Sequence, residues 1–309
     1  MWPIPNPSGI SPKVKEDLMK KILLVLLGLL IVATGIVYLT GPHRSTTTAK
    51  YVQTTTPTLF VHGWGSSFHA EEKMVDAARR AGVTSTVVRA DVDKNGQVTF
   101  NRSIPADAIN PIVEVNLADN KLTANNDHED YVSGYHRGGE YIKQVVVALE
   151  KQHHYHSINL VGHSMGNLEI INYLNDNLHN AKLPQVTHLV AIAGHYNGLM
   201  GEKKSEQATV NQTTGKPSWM TPAYQELLNL RKNFPTSTAV LNIYGDLDDG
   251  SHSDEAVPVN SAKSLKYLVS PRAKSYTELE IHGKNAQHSK LHNNARVNRA
   301  LIEFLWQKK

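Results

Sequence analysis

NLVGHSMGN, Asn159 to Asn167, sets one serine between two glycines directly behind an apolar run. The run SINLVG (157–162) has the short, β-branched character of a buried strand, and NLEIINYLND (167–176) continues at helical spacing. Gly162-His163-Ser164-Met165-Gly166 therefore fits G-x-S-x-G at a strand-to-helix turn, the context a nucleophile elbow requires. Such a turn holds the serine in strained geometry, and the glycines two residues away on either side keep it free of collision. The helix N-terminus behind it adds backbone N–H groups that favour developing negative charge. A serine that only capped a helix would leave both glycines without a reason.

An elbow needs partners in the right order. FVHGWG (60–65) closes the first strand of the domain, TLFVHG. Its glycine-rich turn brings a backbone N–H, that of Trp64, beside Ser164, with the N–H of Met165 as a second oxyanion donor. A base must follow near the C-terminus, where IHGKNAQHSKLHNN (281–294) offers His282, His288 and His292. His282 stands at a strand end, facing packing or solvent. His288 sits in the loop, where a side chain can reach the elbow. His292, close to the start of the last helix, is the alternative base or a supporting residue. The acid belongs after the strand AVLNIYG (239–245), where DLDDGSHSDEAVP (246–258) supplies Asp246, Asp248, Asp249, Asp254 and Glu255. It would fix the histidine tautomer and stabilise the imidazolium.

With these motifs in view the chain resembles the α/β-hydrolase superfamily, and is similar in particular to the cell-surface α/β hydrolases of Gram-positive bacteria. The resemblance covers roughly residues 55 to 309 and is carried by FVHGWGSS, NLVGHSMGN, AIAGHYNG, SDEAVP and QHSKLHNN. It implies a Ser164–His288–Asp254 triad, because the family's acid stands three residues before the valine of a Val-Pro pair, here Val257-Pro258. Asp248, nearer the strand, is the rival acid. Glu255 replaces the glycine usual after the acid, and Asn167 stands where another glycine is common. The activity implied is hydrolysis of an ester-like acyl substrate, small or lipid-like, with no cofactor. An acyltransferase using the same triad, or a non-catalytic surface binding module, are the other readings of the same residues.

The rest of the chain reads as an α/β fold with a mostly parallel sheet flanked by helices. Strands are expected at 58–63, 84–92, 157–162, 187–194, 239–245 and 276–283, with helices at 138–152 and 294–307 between and after them. DVDKNGQVTFNRS (91–103) reads as a β-hairpin insertion turning at Asn95-Gly96. It imitates a calcium loop, but Arg102 stands where the closing glutamate is required. The long polar insertion 196–230, with Trp219 and Met220 near its end, is expected to form a cap.

Ahead of this domain, ILLVLLGLLIVATGIVYLT (22–40) carries no charged residue. A helix of about 19 residues rises roughly 29 Å at about 1.5 Å per residue, close to the roughly 30 Å core of a bilayer. No small-x-small cleavage site follows, so an uncleaved signal anchor is expected. Lys13, Lys15, Lys20 and Lys21 before the run, against Arg44 and Lys50 after it, place the N-terminus in the cytoplasm. The expected order is cytoplasmic tail (1–21), transmembrane anchor (22–40), threonine-rich tether (41–54) and an extracellular hydrolase domain (55–309). Absence of cysteine excludes disulfides, thiolate catalysis and cysteine-ligated zinc. The net charge of +4 comes from scattered residues and no zinc-finger or RNA-binding pattern is present, so no nucleic-acid partner is expected. His153, His154 and His156, at a helix end, read as carbonyl caps rather than a metal site.

Overall fold

Alternating apolar residues in the strands divide the core between two faces. In β1 (Thr58–Val61), Leu59 and Val61 join one buried cluster while Phe60 joins the other. That period of two is what a strand covered on both sides requires. The computed structural model describes residues 50–123 and 131–308, together with Lys13, Glu16, Asp17, Met19 and Lys21. Beyond β1 the strands are β2 (Val87–Val92), β3 (Val98–Phe100), β4 (Ile112–Leu117), β5 (Ser157–His163), β6 (Gln185–Ile192), β7 (Ala239–Asp246) and β8 (Ser275–His282). They form one sheet in the order β3-β2-β4-β1-β5-β6-β7-β8. Every pairing is parallel except β2 with β3, where Val92 lies opposite Val98. That antiparallel pair is the expected hairpin at Asn95-Gly96. In its turn Asp93 Oδ1 accepts the N–H groups of Asn95 and Gln97, both at 2.8 Å, so this carboxylate serves the turn.

Four longer helices cover the sheet: α1 (Glu72–Arg80), α2 (Tyr131–Gln152), α3 (Met165–Asp176) and α4 (Ala295–Trp306). Ile142, Val145 and Val146 of α2 and Leu168, Ile170 and Ile171 of α3 enter the cluster of Leu59 and Val61. Met74, Val75 and Ala78 of α1 and Val297, Leu301 and Trp306 of α4 enter that of Phe60. The α4 start is fixed by Asn294, whose side chain accepts from the N–H groups of Arg296 (2.8 Å) and Val297 (3.3 Å).

Among the strands and the four longer helices, two have no counterpart in the sequence reading. They are β4, which lies between β2 and β1 in the sheet, and α1. The insertion 196–230 also divides. Trp219 borders a cavity, whereas Tyr196, which also lines it, Tyr224, Leu227 and Leu230 are buried in the main core. Met220, expected in a cap, packs against that core. Tyr51 and Val52, placed by sequence in the tether, are tied to the end of α4. Tyr51 bridges Gln307, and the Val52 N–H donates to the Trp306 carbonyl at 2.8 Å. The expected transmembrane segment 22–40 lies outside the described residues. Among those described, no helix is long and apolar enough to cross a membrane.

Candidate active site

The carboxyl ends of the parallel strands gather the residues singled out in the sequence, at the edge where open α/β sheets bind ligands. Ser164 follows β5 directly and caps α3 with φ 52° and ψ −121°. Only a side chain held by its surroundings stays in that left-handed region, and the strain puts the hydroxyl at the tip of the turn. A Cβ on Gly166 would strike the Val61 carbonyl, so α3 can leave the turn this close to β1 only with glycine there. Asn167 does more than a glycine could. Its Nδ2 donates to the carbonyls of Ile192 (2.7 Å) and Ser164 (3.1 Å), tying the elbow to β6.

From Ser164 a chain of hydrogen bonds runs to His288, which opens a short helix (His288–Leu291) rather than sitting in a loop, and on to the loop after β7. His288 Nε2 lies 2.9 Å from Ser164 Oγ, and His288 Nδ1 lies 2.8 Å from Asp254 Oδ2. With Asp254 accepting from Nδ1–H, Nε2 is left as the acceptor for the serine hydroxyl. Asp254 is 1% exposed, and its Oδ1 accepts the N–H groups of Ala256 (3.0 Å) and Val257 (2.7 Å). The His288 N–H also donates to the Asp254 carbonyl at 2.8 Å. Glu255 has φ 89°. A glycine would adopt that angle without strain. Here the glutamate side chain accepts from Gln287 Nε2 at 2.7 Å, joining the acid loop to the residue before His288.

The other candidates go elsewhere. Asp248 bonds His282 Nδ1 at 2.9 Å, and both side chains are exposed. Asp246 accepts the Asp248 N–H at 2.9 Å and lies 3.3 Å from His252 Nδ1. His292 packs its ring edge-on to His163, with centroids 4.7 Å apart, and borders the cavity without joining the hydrogen-bonded chain.

Gly63, Trp64 and Met165 border the same cavity, of about 340 Å³, as Ser164 and His288. A Cβ on Gly63 would come within 2.9 Å of Ser164 Cβ, so the turn after β1 lies directly against the serine. His62 braces that turn. Its Nδ1 donates to the Gly63 carbonyl at 2.9 Å, and its Nε2 accepts the Leu117 N–H at 3.1 Å. Burial lowers its pKa, which favours the neutral ring that these two bonds require.

Three residues at this edge had no role in the sequence reading. His163 Nε2 donates to the His288 carbonyl at 3.1 Å, and the two rings are 4.9 Å apart. Burial, followed by the neighbouring His288 and His292, pushes its pKa well down and keeps it uncharged beside His288. His195, just after β6, has its Nε2 3.0 Å from the Tyr135 hydroxyl of α2. Burial first, then His288, lowers its pKa to about 3. The signal for His195 was its position behind a parallel strand. Tyr135 was hidden by glycines 134, 138 and 139, which interrupt the apolar period of α2.

The sheet order and the strained serine behind β5 define an α/β hydrolase. The chain belongs to the family described as alpha/beta hydrolase of unknown function (DUF915), which it matches over residues 45–308. Its fold is similar to that of the lin2722 gene product of Listeria innocua, with a TM-score of 0.71 and 22% identity over 81% of this chain and 93% of that one. It is also similar to a protein of Lactobacillus plantarum WCFS1 described as a cell surface hydrolase. There the TM-score is 0.60 at 20% identity, covering 81% of this chain and 89% of that one. No curated protein sequence matches the chain significantly.

Proposed function

We propose that the protein is a serine hydrolase that cleaves an ester-like acyl substrate through an acyl-enzyme. The reading rests on one observation above all, the hydrogen-bonded chain Asp254–His288–Ser164 at 2.8 and 2.9 Å on a strained elbow. In this scheme Ser164 Oγ attacks the carbonyl carbon as its proton passes to His288 Nε2. Asp254 holds the imidazole in the required tautomer and stabilises its cation. The backbone N–H groups of Trp64 and Met165 take the oxyanion, each donor being worth about 100- to 1,000-fold in rate. The alcohol leaves with the proton from His288. Water then donates its proton to the same nitrogen and its oxygen to the acyl carbon, releasing the acid and restoring Ser164.

The protein is further proposed to be anchored by residues 22–40 with its catalytic domain outside the cell. The uncharged run and the lysines before it support this.

A panel of acyl esters of rising chain length tests the activity. Purified protein should turn over at least one, and Ser164→Ala should lower that rate by roughly a million-fold, as when a triad acts as a unit. Equal turnover by the alanine variant would remove Ser164 from the mechanism.

A further inference from the structure

Beside the cavity at Ser164 lies a second, of about 350 Å³, and the two share Tyr131, Tyr135 and His195 as a common wall. The scheme above gives this second space no task. Its chemistry differs from that of its neighbour. Tyr131, Tyr135, Tyr196 and Trp219 line it with aromatic rings, and Glu202 carries the one formal charge among its described lining residues. His195 adds none, since burial keeps its ring neutral. The Tyr131 and Tyr135 rings are near-parallel, 23° apart with centroids 6.2 Å from each other. Aromatic faces attract cations through their quadrupole, and a carboxylate at the same place adds Coulomb attraction. Trp219 already attracts one cation of the chain, with Lys204 Nζ 5.6 Å from its ring centroid.

A polyol would also stack on such rings, but it needs several converging hydrogen-bond partners. Two of those in the wall are already engaged. Thr221 Oγ1 accepts the Tyr224 N–H at 3.1 Å, and the Tyr135 hydroxyl is bonded to His195. Glu202 spends one oxygen on the Ser205 hydroxyl at 2.9 Å. A positively charged group needs only the Glu202 carboxylate and the ring faces.

We propose that this second cavity is a cation subsite, holding the ammonium group of a soluble ester whose carbonyl is presented to Ser164. The proposal rests on the serine-hydrolase reading and adds the substrate class. A phosphocholine headgroup fits less well, because its phosphate would bring negative charge toward Glu202.

Butyrylcholine and 3,3-dimethylbutyl butyrate have nearly the same shape and differ in charge at one quaternary centre. With the full-length protein, kcat/KM should favour the choline ester by about fivefold, the scale of a cation–π contact at a half-exposed site. Glu202→Gln and Trp219→Leu should each move that ratio toward one. A ratio of one in the parent, a ratio insensitive to both substitutions, or a stronger preference for phosphatidylcholine vesicles would overturn the proposal. Calorimetric titration of Ser164→Ala with tetramethylammonium separates this from the hydrolase reading. Binding that Glu202→Gln weakens, with no ester of the acyl panel cleaved by the parent, keeps the subsite and removes the hydrolase. Cleavage of both esters at equal rates, with no binding, does the reverse.

Discussion

Asp254 is held at three points, by the N–H groups of Ala256 and Val257 on one oxygen and by His288 Nδ1 on the other. The bridge between Ser253 and Pro258 closes the loop around it, so the Val-Pro pair sets where this carboxylate points. Asp248 has no such frame and holds His282 at the surface. Replacing Asp254 by Asn should therefore cut turnover by up to about ten-thousand-fold through the wrong imidazole tautomer, with the fold retained. Asp248→Asn should leave the rate near that of the parent. The opposite ranking, at equal melting temperature, would move the acid's role to Asp248. Ser164 and His288 were legible because local context marks them, a glycine-flanked turn and the stretch between the last strand and last helix. His163 and His195 were not, because what gives them significance is a bond to a residue more than fifty positions away.

The start of α1 holds a buried carboxyl group that no cap or ion pair explains. Glu71 is fully buried, and neither carboxylate oxygen has a hydrogen-bond partner among the described residues. Burial, and then the charge of Glu114, raises its pKa to about 8. The native state thus keeps a proton that an unfolded chain, with a value near 4.5, has released. Stability from this group is full below about 4.5 and falls as pH rises toward about 8, since the native state binds the extra proton. Urea midpoints should drop between pH 5 and pH 8, and drop less in Glu71→Gln. Equal drops in parent and variant would show Glu71 titrating normally. The same region shows why elements were missed. In β4 the buried Glu114 interrupts the apolar run Ile112-Val113 and Val115, so the strand lacks a clean alternating signature. In α1 only Met74, Val75 and Ala78 are buried, among six other residues that are mostly charged, leaving a narrow apolar stripe.

Across the whole molecule, Lys50–Lys309 forms one compact unit whose sheet carries the site along a single edge. Alternation of strand and helix made that architecture legible, since each parallel crossover needs a covering helix. How the strand ends converge is set by twist and register, which no local pattern encodes. If residues 22–40 anchor the chain, full-length protein should sediment with membranes and resist extraction by salt. A chain lacking residues 1–49 should stay in the supernatant and keep its ester turnover. Full-length protein released by salt alone would contradict a spanning helix. The central claim, that Ser164 is a nucleophile activated by His288, is tested most directly by intact-mass analysis after treatment with a fluorophosphonate. The account predicts a single adduct that maps to Ser164 and is absent in Ser164→Ala, with labelling slowed severely in His288→Ala. An adduct on another residue, or undiminished labelling in the Ser164→Ala protein, would contradict it.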